Sequence, residues 1–463
     1  MKIYIKYLIL LILSIIFLGC SIDEGSVKEI EISSTTTVTD SNTTDTNTTL
    51  PPPSYKVTVV HIPTLVVVMN WTDYSENNAT LWYNKFFNHS TKSVNQWYDE
   101  AIGGEYELVP VSESSGTPND GIIMVNMGIA HPGGSDNTTF RDTHIKNAIT
   151  NSEVVDKMDF TLYDTNSDGI LTNKEIQIIF IVAGGEESFG DPQASSIWAH
   201  AWSYDSSSTL QVDGEYVMKV DANTSLSGKY ARFGANHGTH KATIGVIVHE
   251  IGHSLFNLGD YYDNGGGSGL GWFDVMSGGS WAKKSSDTNS GETPTQYSVY
   301  NKIDAGFDLN VTEVNSSTDL TIKCDSRNLI KLLTSKINEF FLIECRDTAK
   351  ENSDSSFNQA DNSFTENKLF MMAYHIDTNK TNNTEDGSQT DTNHYKVSLV
   401  EKDTGILMTA TENVKADYND IYLMGDSINT SATFLYDGTS TNYAIEVLSE
   451  DTLNRKMTLK ITK

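Results

Sequence analysis

The chain has little positive charge, few cysteines and almost no long apolar runs. Its 32 Lys+Arg stand against 61 Asp+Glu, a formal net charge of −29. A nucleic-acid binder needs a basic footprint to neutralise phosphates, so this balance excludes that class. It equally opposes docking on an anionic membrane surface. Composition also excludes a collagen, a coiled coil and a multispan membrane protein. Of the 463 residues, 38% are hydrophobic and 10% aromatic, enough for a folded core. The length suggests about two or three domains.

The one long apolar run, LILLILSIIF, sits at the N-terminus behind two lysines and is followed by Leu18, Gly19 and Cys20. That layout is a secretory signal, too short and wrongly flanked for a spanning helix. The small residue followed by cysteine resembles a bacterial lipoprotein signal, in which Cys20 becomes the lipidated first residue. The expected location is extracytoplasmic, at the cell surface or outer membrane, with membrane contact only through that lipid. Residues 21–54 are Ser/Thr/Asp-rich and end in three prolines, the composition of a flexible stalk. The other cysteines, Cys324 and Cys345, lie in strand-like segments (LTIKC and FFLIEC). The sequence leaves open a disulfide between them or two buried thiols.

Folded sequence begins near Tyr55, where YKVTVVHIPTLVVVMNW reads as two β-rich runs. Helices are predicted around 78–87 and 93–101, and IQIIFIVAGG reads as a buried strand. Between Thr243 and Leu258 the residues Ile244, Ile247, Val248, Ile251, Leu255 and Leu258 recur at helical spacing. Beyond about Val311 short strands alternate with Asn/Asp/Ser/Gly turns. The expected partition is a signal (1–20), a stalk (21–54), an α+β domain (55–310) and an all-β, sandwich-like domain (311–463).

The chemistry is concentrated in VIVHEIGHSLFNLGDYYD. His249 and His253 are four residues apart, so on a helix they project from one face and can share one ion. Two neutral imidazoles suit Zn²⁺ and leave room for a third protein ligand and a water. Glu250, beside the first histidine, is placed to act as general base. A histidine six residues after His253 would complete a metzincin-like site, but position 259 is glycine. Asp260, just past that glycine, is preferred as third ligand over Glu292 and Asp263.

Together with the zinc motif, GLGWFDVMSGGSW and the Tyr297–Phe307 stretch YSVYNKIDAGF make the sequence similar to the immune inhibitor A-type secreted bacterial metallopeptidases. The likeness extends upstream to DFTLYDTNSDGILTNKE and downstream to FFLIECRD and FMMAYHID. It implies a zincin-like catalytic domain, a methionine turn at Met276 beneath the zinc, and His249, His253 and Asp260 as zinc ligands. Phe273 stands where the family has its first tryptophan. Asp260 lies seven residues after His253 where the family has six, and Phe256 occupies the position of an expected glycine.

A second cation loop is predicted upstream. Asp164, Asn166, Asp168, Gly169 and Glu175 fit the pattern D-x-[DN]-x-[DN]-G-x5-E, with the Ile170 carbonyl and Thr172 completing an oxygen cage for Ca²⁺. Because a strand follows, no helix-loop-helix hand is expected. His237 and His240 read as cleft or turn residues rather than a second metal pair. Tyr261, Tyr262, Tyr297 and Tyr300 are candidates to stabilise an oxyanion, with packing as the alternative. Glu186 and Glu187 read as calcium ligands or surface charge, and His200 and His375 as core histidines. The expected function is a surface-tethered zinc metalloendopeptidase acting on protein or peptide substrates. The alternative is a surface binding protein or adhesin with a non-catalytic metal site.

Overall fold

The run VHIPTLVVVMN forms one 11-residue strand, β1 (Val60–Asn70), where the sequence suggested two. Pro63 does not break it. Val60 N–H donates to Glu105 O and Val66 N–H to Gly121 O, so even-numbered amides face one side and position 63 faces the other. On that other side pairing begins only at Thr64, so the missing proline N–H leaves no ladder bond unmade. The computed structural model describes residues 58–134, 137–190, 195–204, 210–219, 228–263, 269–359, 368–381, 383, 394–402 and 420–463. The signal, Cys20 and the stalk lie outside them.

Two helices follow β1 where expected, Ala79–Phe86 and Val94–Ala101. They are capped by Asn78, which accepts from Leu81 N–H, and Ser93, which accepts from Gln96 N–H. Strands β2 (Tyr106–Pro110) and β3 (Ile122–Asn126) pair parallel to β1 on one side, and β4 (Gln177–Glu186) pairs parallel on the other. Beyond β4 come β5 (Ser196–Ile197), β6 (His200–Ser203), a separate hairpin of β7 (Gln211–Val212) and β8 (Glu215–Tyr216), then β9 (Lys229–His237) and β10 (His240–Lys241). The main path of the sheet runs β10-β9-β4-β1-β2, with β6 antiparallel to the start of β9. All ten residues of β4 are buried, as a central parallel strand covered on both faces requires.

The helix Ile244–Phe256 packs on one face of this sheet. Ile247, Val248, Ile251 and Leu255 join Ile179, Ile181, Ala231 and Phe233 in one core. The opposite face carries Ile178, Phe180, Val182 and Tyr230 into a second core.

The C-terminal part is β-rich. One sheet has the order β11 (Asn310–Val314), β13 (Asn328–Lys336), β14 (Glu339–Asp347), β15 (Leu369–Asp377), β16 (Val397–Leu399). The other contains β12 (Thr318–Lys323), β19 (Lys456–Thr462), β18 (Ala444–Asp451) and β17 (Ser427–Ile428), in that order. Ile330, Leu332, Phe341 and Ile343 of the first meet Ile445, Val447, Leu459 and Ile461 of the second. Cys324 and Cys345 form a disulfide between the end of β12 and β14. The outer face of the five-stranded sheet, through Leu342, Met372, Tyr374 and Ile376, belongs to the same core as the helix Ile244–Phe256. Val57–Lys463 accordingly form one compact unit.

Gly245 marks where this packing is closest. A Cβ there would lie 1.7 Å from the Ser280 carbonyl oxygen. Alanine normally favours a helix, but here the first turn would have to move off the 280–291 segment. Gly245→Ala is expected to destabilise the protein by about 1–3 kcal/mol, read as a lowered urea midpoint; a raised midpoint would contradict this packing.

Candidate metal centre

The metal-binding pattern depends on how the helix Ile244–Phe256 ends. Asn257 takes the left-handed conformation (φ 55°, ψ 31°), and its N–H, like that of Leu258, returns to Gly252 O. The chain then reverses through Gly259, and Asp260 meets the two histidines. Asp260 Oδ1 lies 3.2 Å from His249 Nε2 and 3.1 Å from His253 Nε2, and the two Nε2 atoms are 3.1 Å apart. Among the described residues this is the one group of three His, Cys, Asp or Glu side chains close enough to hold one ion. The other two carboxylates considered for this role are engaged elsewhere. Glu292 accepts from Lys92, Asn289 and Thr288, and Asp263 accepts from Tyr395.

Each imidazole is oriented through its other nitrogen. His249 Nδ1 is 2.8 Å from Val275 O and His253 Nδ1 is 2.7 Å from Leu258 O. A carbonyl can only accept, so both Nδ1 atoms carry the proton and both Nε2 lone pairs face the common point. Two imidazole nitrogens and one carboxylate oxygen, with the tautomers fixed this way, are a donor set that fits Zn²⁺. Burial pushes the Asp260 carboxyl up, but the His253 and His249 charges and hydrogen bonds outweigh it and hold the group below the usual carboxylate range.

Met276 lies under the helix, fully buried, with its sulfur 2.5 Å from where a Cβ on Gly252 would sit. The turn around it is held by Asp274, whose buried carboxylate accepts from Met276 N–H at 2.7 Å, Ser298 N–H at 3.0 Å and Asn301 Nδ2 at 2.6 Å. Met276 O in turn accepts from Tyr261 N–H, tying the turn to the residue after Asp260. Sequence reading did not single out Asp274. The signal available was a lone acid inside an otherwise apolar WFDVM.

Glu250 is buried, and its Oε2 has no hydrogen-bond partner among the described residues. Burial pushes its carboxyl up to about 8; the His249 charge opposes this and the Asp260 and Glu186 charges add to it. Glu186 is not surface charge. It is fully buried, and accepts from Gly234 N–H at 2.7 Å and Ala199 N–H at 2.9 Å, which fixes the end of β4 against β9. Glu187 is exposed. Tyr261, Tyr297 and Tyr300 are packed in the core, with Tyr297 donating to Val248 O. His200 is held by Tyr230 OH and Arg232, and His375 bonds to Glu339 and stacks on Phe341.

The Asp164–Glu175 loop is folded on its own oxygens. Asp164 accepts from Asp168 and Gly169 N–H, Asn166 from Asp168 N–H, and Asp168 from Ile170 N–H. Glu175 reaches back to Thr165 and Thr172, taking both their N–H and hydroxyl groups. A 3₁₀ turn precedes the loop and β4 follows it, so no helix-loop-helix is formed.

A family model described as the catalytic domain of immune inhibitor A peptidase M6 matches residues 72–308. The chain is similar to Immune inhibitor A of Bacillus thuringiensis subsp. alesti, 29% identical over 232 residues, which is 46% of this chain and 31% of that protein. It is also similar to the pre-pro-metalloprotease PrtV of Vibrio cholerae serotype O1, 27% identical over 230 residues, 45% of this chain and 23% of that one. The match spans less than a third of the length of these curated relatives.

If Asp260 is the third ligand, Asp260→Ala should weaken Zn²⁺ binding by more than about 100-fold, beyond the 10–100-fold typical of losing an outer-shell partner. Glu292→Ala and Asp263→Ala should leave affinity within about threefold. Competition against a chromophoric chelator reads all three. Comparable losses for Asp260→Ala and Glu292→Ala would overturn the assignment.

Proposed function

Because this chain belongs to the immune inhibitor A peptidase M6 family, we propose that it is a zinc metalloendopeptidase with a zincin-like catalytic region (55–310) and a β-rich C-terminal region (311–463). The observation that carries the reading is the convergence of His249, His253 and Asp260 beside an unpartnered, buried Glu250 oxygen. Bound there, zinc would supply Lewis acidity that lowers the pKa of a water and polarises a peptide carbonyl. Glu250 takes the proton from the attacking water and passes it to the leaving amine. Its burial suits that exchange, since a carboxyl pushed towards neutrality gives and accepts a proton with little bias. Val275 O and Leu258 O hold the two imidazoles, and Asp274 holds the turn beneath them.

The proposed setting is extracytoplasmic, with Cys20 as a lipid-anchored residue and 21–54 as the stalk that carries the enzyme off the surface. Protein or peptide chains are the proposed substrates. We also propose Ca²⁺ at the Asp164–Glu175 loop, where Asp164, Asn166, Asp168, Ile170, Thr172 and Glu175 supply oxygens. The support is the fit of every specified position to the twelve-residue pattern.

Glu250→Gln keeps the shape of the side chain and removes the base. It should lower casein hydrolysis by at least about 10²–10⁴-fold while Zn²⁺ content stays at the wild-type level; activity within tenfold of wild type would remove Glu250 from the mechanism. For the loop, Ca²⁺ at 100 times its Kd should stabilise the folded protein by about 2.7 kcal/mol, seen as a raised Tm that Asp168→Ala abolishes. An equal rise in both proteins would place calcium elsewhere.

A further inference from the structure

At the N-terminal end of the helix Ile244–Phe256 two adjoining recesses of about 210 and 430 Å³ share His240 and Asn289 in their walls. Their lining carries Lys85, Lys92, Lys241 and Lys283 against a single carboxylate, Glu292. In a chain of net charge −29 this is a local excess of positive charge. Two of the lysines are already paired, Lys92 with Asp287 and Glu292, and Lys241 with Glu76. Lys85 and Lys283 have no hydrogen-bond or ion-pair partner among the described residues, and both are half-buried. Burial lowers the Lys85 ammonium to about 8; Glu292 opposes that and Lys92 adds to it.

His237 supplies an independent observation. It is fully buried, lines the larger recess, and its Nε2 has no partner among the described residues. Thr243 N–H points at its Nδ1 at 3.4 Å, so Nδ1 accepts and the proton sits on Nε2. Burial, with His240 and Lys85 adding to it, keeps the ring neutral. Phe189 stacks on it at 5.0 Å and 12°, fixing its direction. The result is a buried N–H donor held without an acceptor among the described residues, an arrangement that is costly unless something fills it. The helix above adds its positive end, and the Thr243 side chain does not cap it, donating instead to Ser290 O. The one lining carboxylate cannot serve, since Glu292 is spent on Lys92, Asn289 and Thr288.

Two free ammonium groups and an orphan N–H ask for an acceptor, while at the helix start Gly245 N–H is already taken by Gly291 O. We propose that these adjoining recesses bind a small oxyanion group, a sulfate- or phosphate-like ion or the carboxylate of an acidic peptide side chain, with His237 and Lys283 in the wall of the larger recess and Lys85 in that of the smaller. None of His249, His253 and Asp260 lines these recesses, and anion binding there does not depend on the proposed peptidase activity.

The test titrates sodium sulfate into the zinc-loaded full-length protein by calorimetry, at constant ionic strength held with chloride. One saturable site is expected in the wild type. Affinity should fall at least about tenfold in Lys85→Met/Lys283→Met, and also in His237→Phe, which keeps the aromatic stack but lacks the donor. Unchanged Zn²⁺ content and Tm in the lysine variant confirm that it is folded. Crystals soaked in selenate should show an anomalous peak within hydrogen-bond reach of His237 Nε2. An octapeptide rich in glutamate identifies the source: displacement of sulfate points to a polypeptide carboxylate, and failure to displace it points to a free ion. No saturable uptake in the wild type, or equal uptake in the lysine variant, overturns the proposal.

Discussion

Where the helix Ile244–Phe256 stops determines whether a metal centre exists at all. His249 and His253 are brought onto one face by any helix, but a third donor reaches them only if the chain reverses within a few residues. That reversal is made by Asn257 in the left-handed region, which asparagine enters more readily than other non-glycine residues. The family-like pattern expects the break one residue earlier, at a glycine. Here Phe256 continues the helix and buries its ring against Tyr98, Tyr106 and Phe307. Moving the break from 256 to 257 goes with a spacing to Asp260 that is longer by the same single residue, and the carboxylate still reaches both imidazoles. The same reversal supplies Leu258 O to His253, coupling helix termination to ligand orientation.

The rest of the centre is held by groups too deeply buried to tolerate rearrangement. Asp274 has given its carboxylate to Met276, Ser298 and Asn301, and removing it would strand two buried backbone N–H groups at about 1–3 kcal/mol each. Glu186 does the equivalent at the end of β4, where it anchors Gly234 and Ala199 and so sets the entry into β6. Both are carboxylates doing backbone work on either side of the ligand helix. Their combined effect is positional precision at atoms that neither of them touches.

The parts legible in the sequence were those that a local pattern dictates. Periodicity located the ligand helix, and spacing gave His249, Glu250 and His253. The glycine turn made Asp260 the nearest returning oxygen. Both short helices after β1 lie where the sequence reading put them, and the structure adds Asn78 and Ser93 as their caps. What local pattern could not supply was partner identity across the fold. The segment read as two runs rather than one strand because the unpaired side that accommodates Pro63 is invisible without the neighbouring strands. Glu186 read as a calcium ligand or surface charge because a buried acid is recognisable only by the N–H groups that converge on it. Cys324 and Cys345 were ambiguous because the pairing of β12 and β14 into opposed sheets is a tertiary outcome.

The C-terminal strands show the same limit at the scale of a whole region. Turn-separated β segments after Val311 mark a change in sequence pattern, and two stacked sheets do form there. Yet β14 and β15 are each buried at all nine positions, where an antiparallel sheet with one wet face would alternate. The reason is that one face packs on the second sheet while the other closes the core beneath the ligand helix and Met276. Buried charge reinforces that contact. Arg346 on β14 pairs with Glu344 and reaches Tyr297 O, next to the Ser298 that binds Asp274. The change of sequence pattern near residue 310 is therefore not a division of the core. The β-rich segment completes the scaffold that presents His249, His253 and Asp260, and among the described residues its contribution to the centre is made through packing.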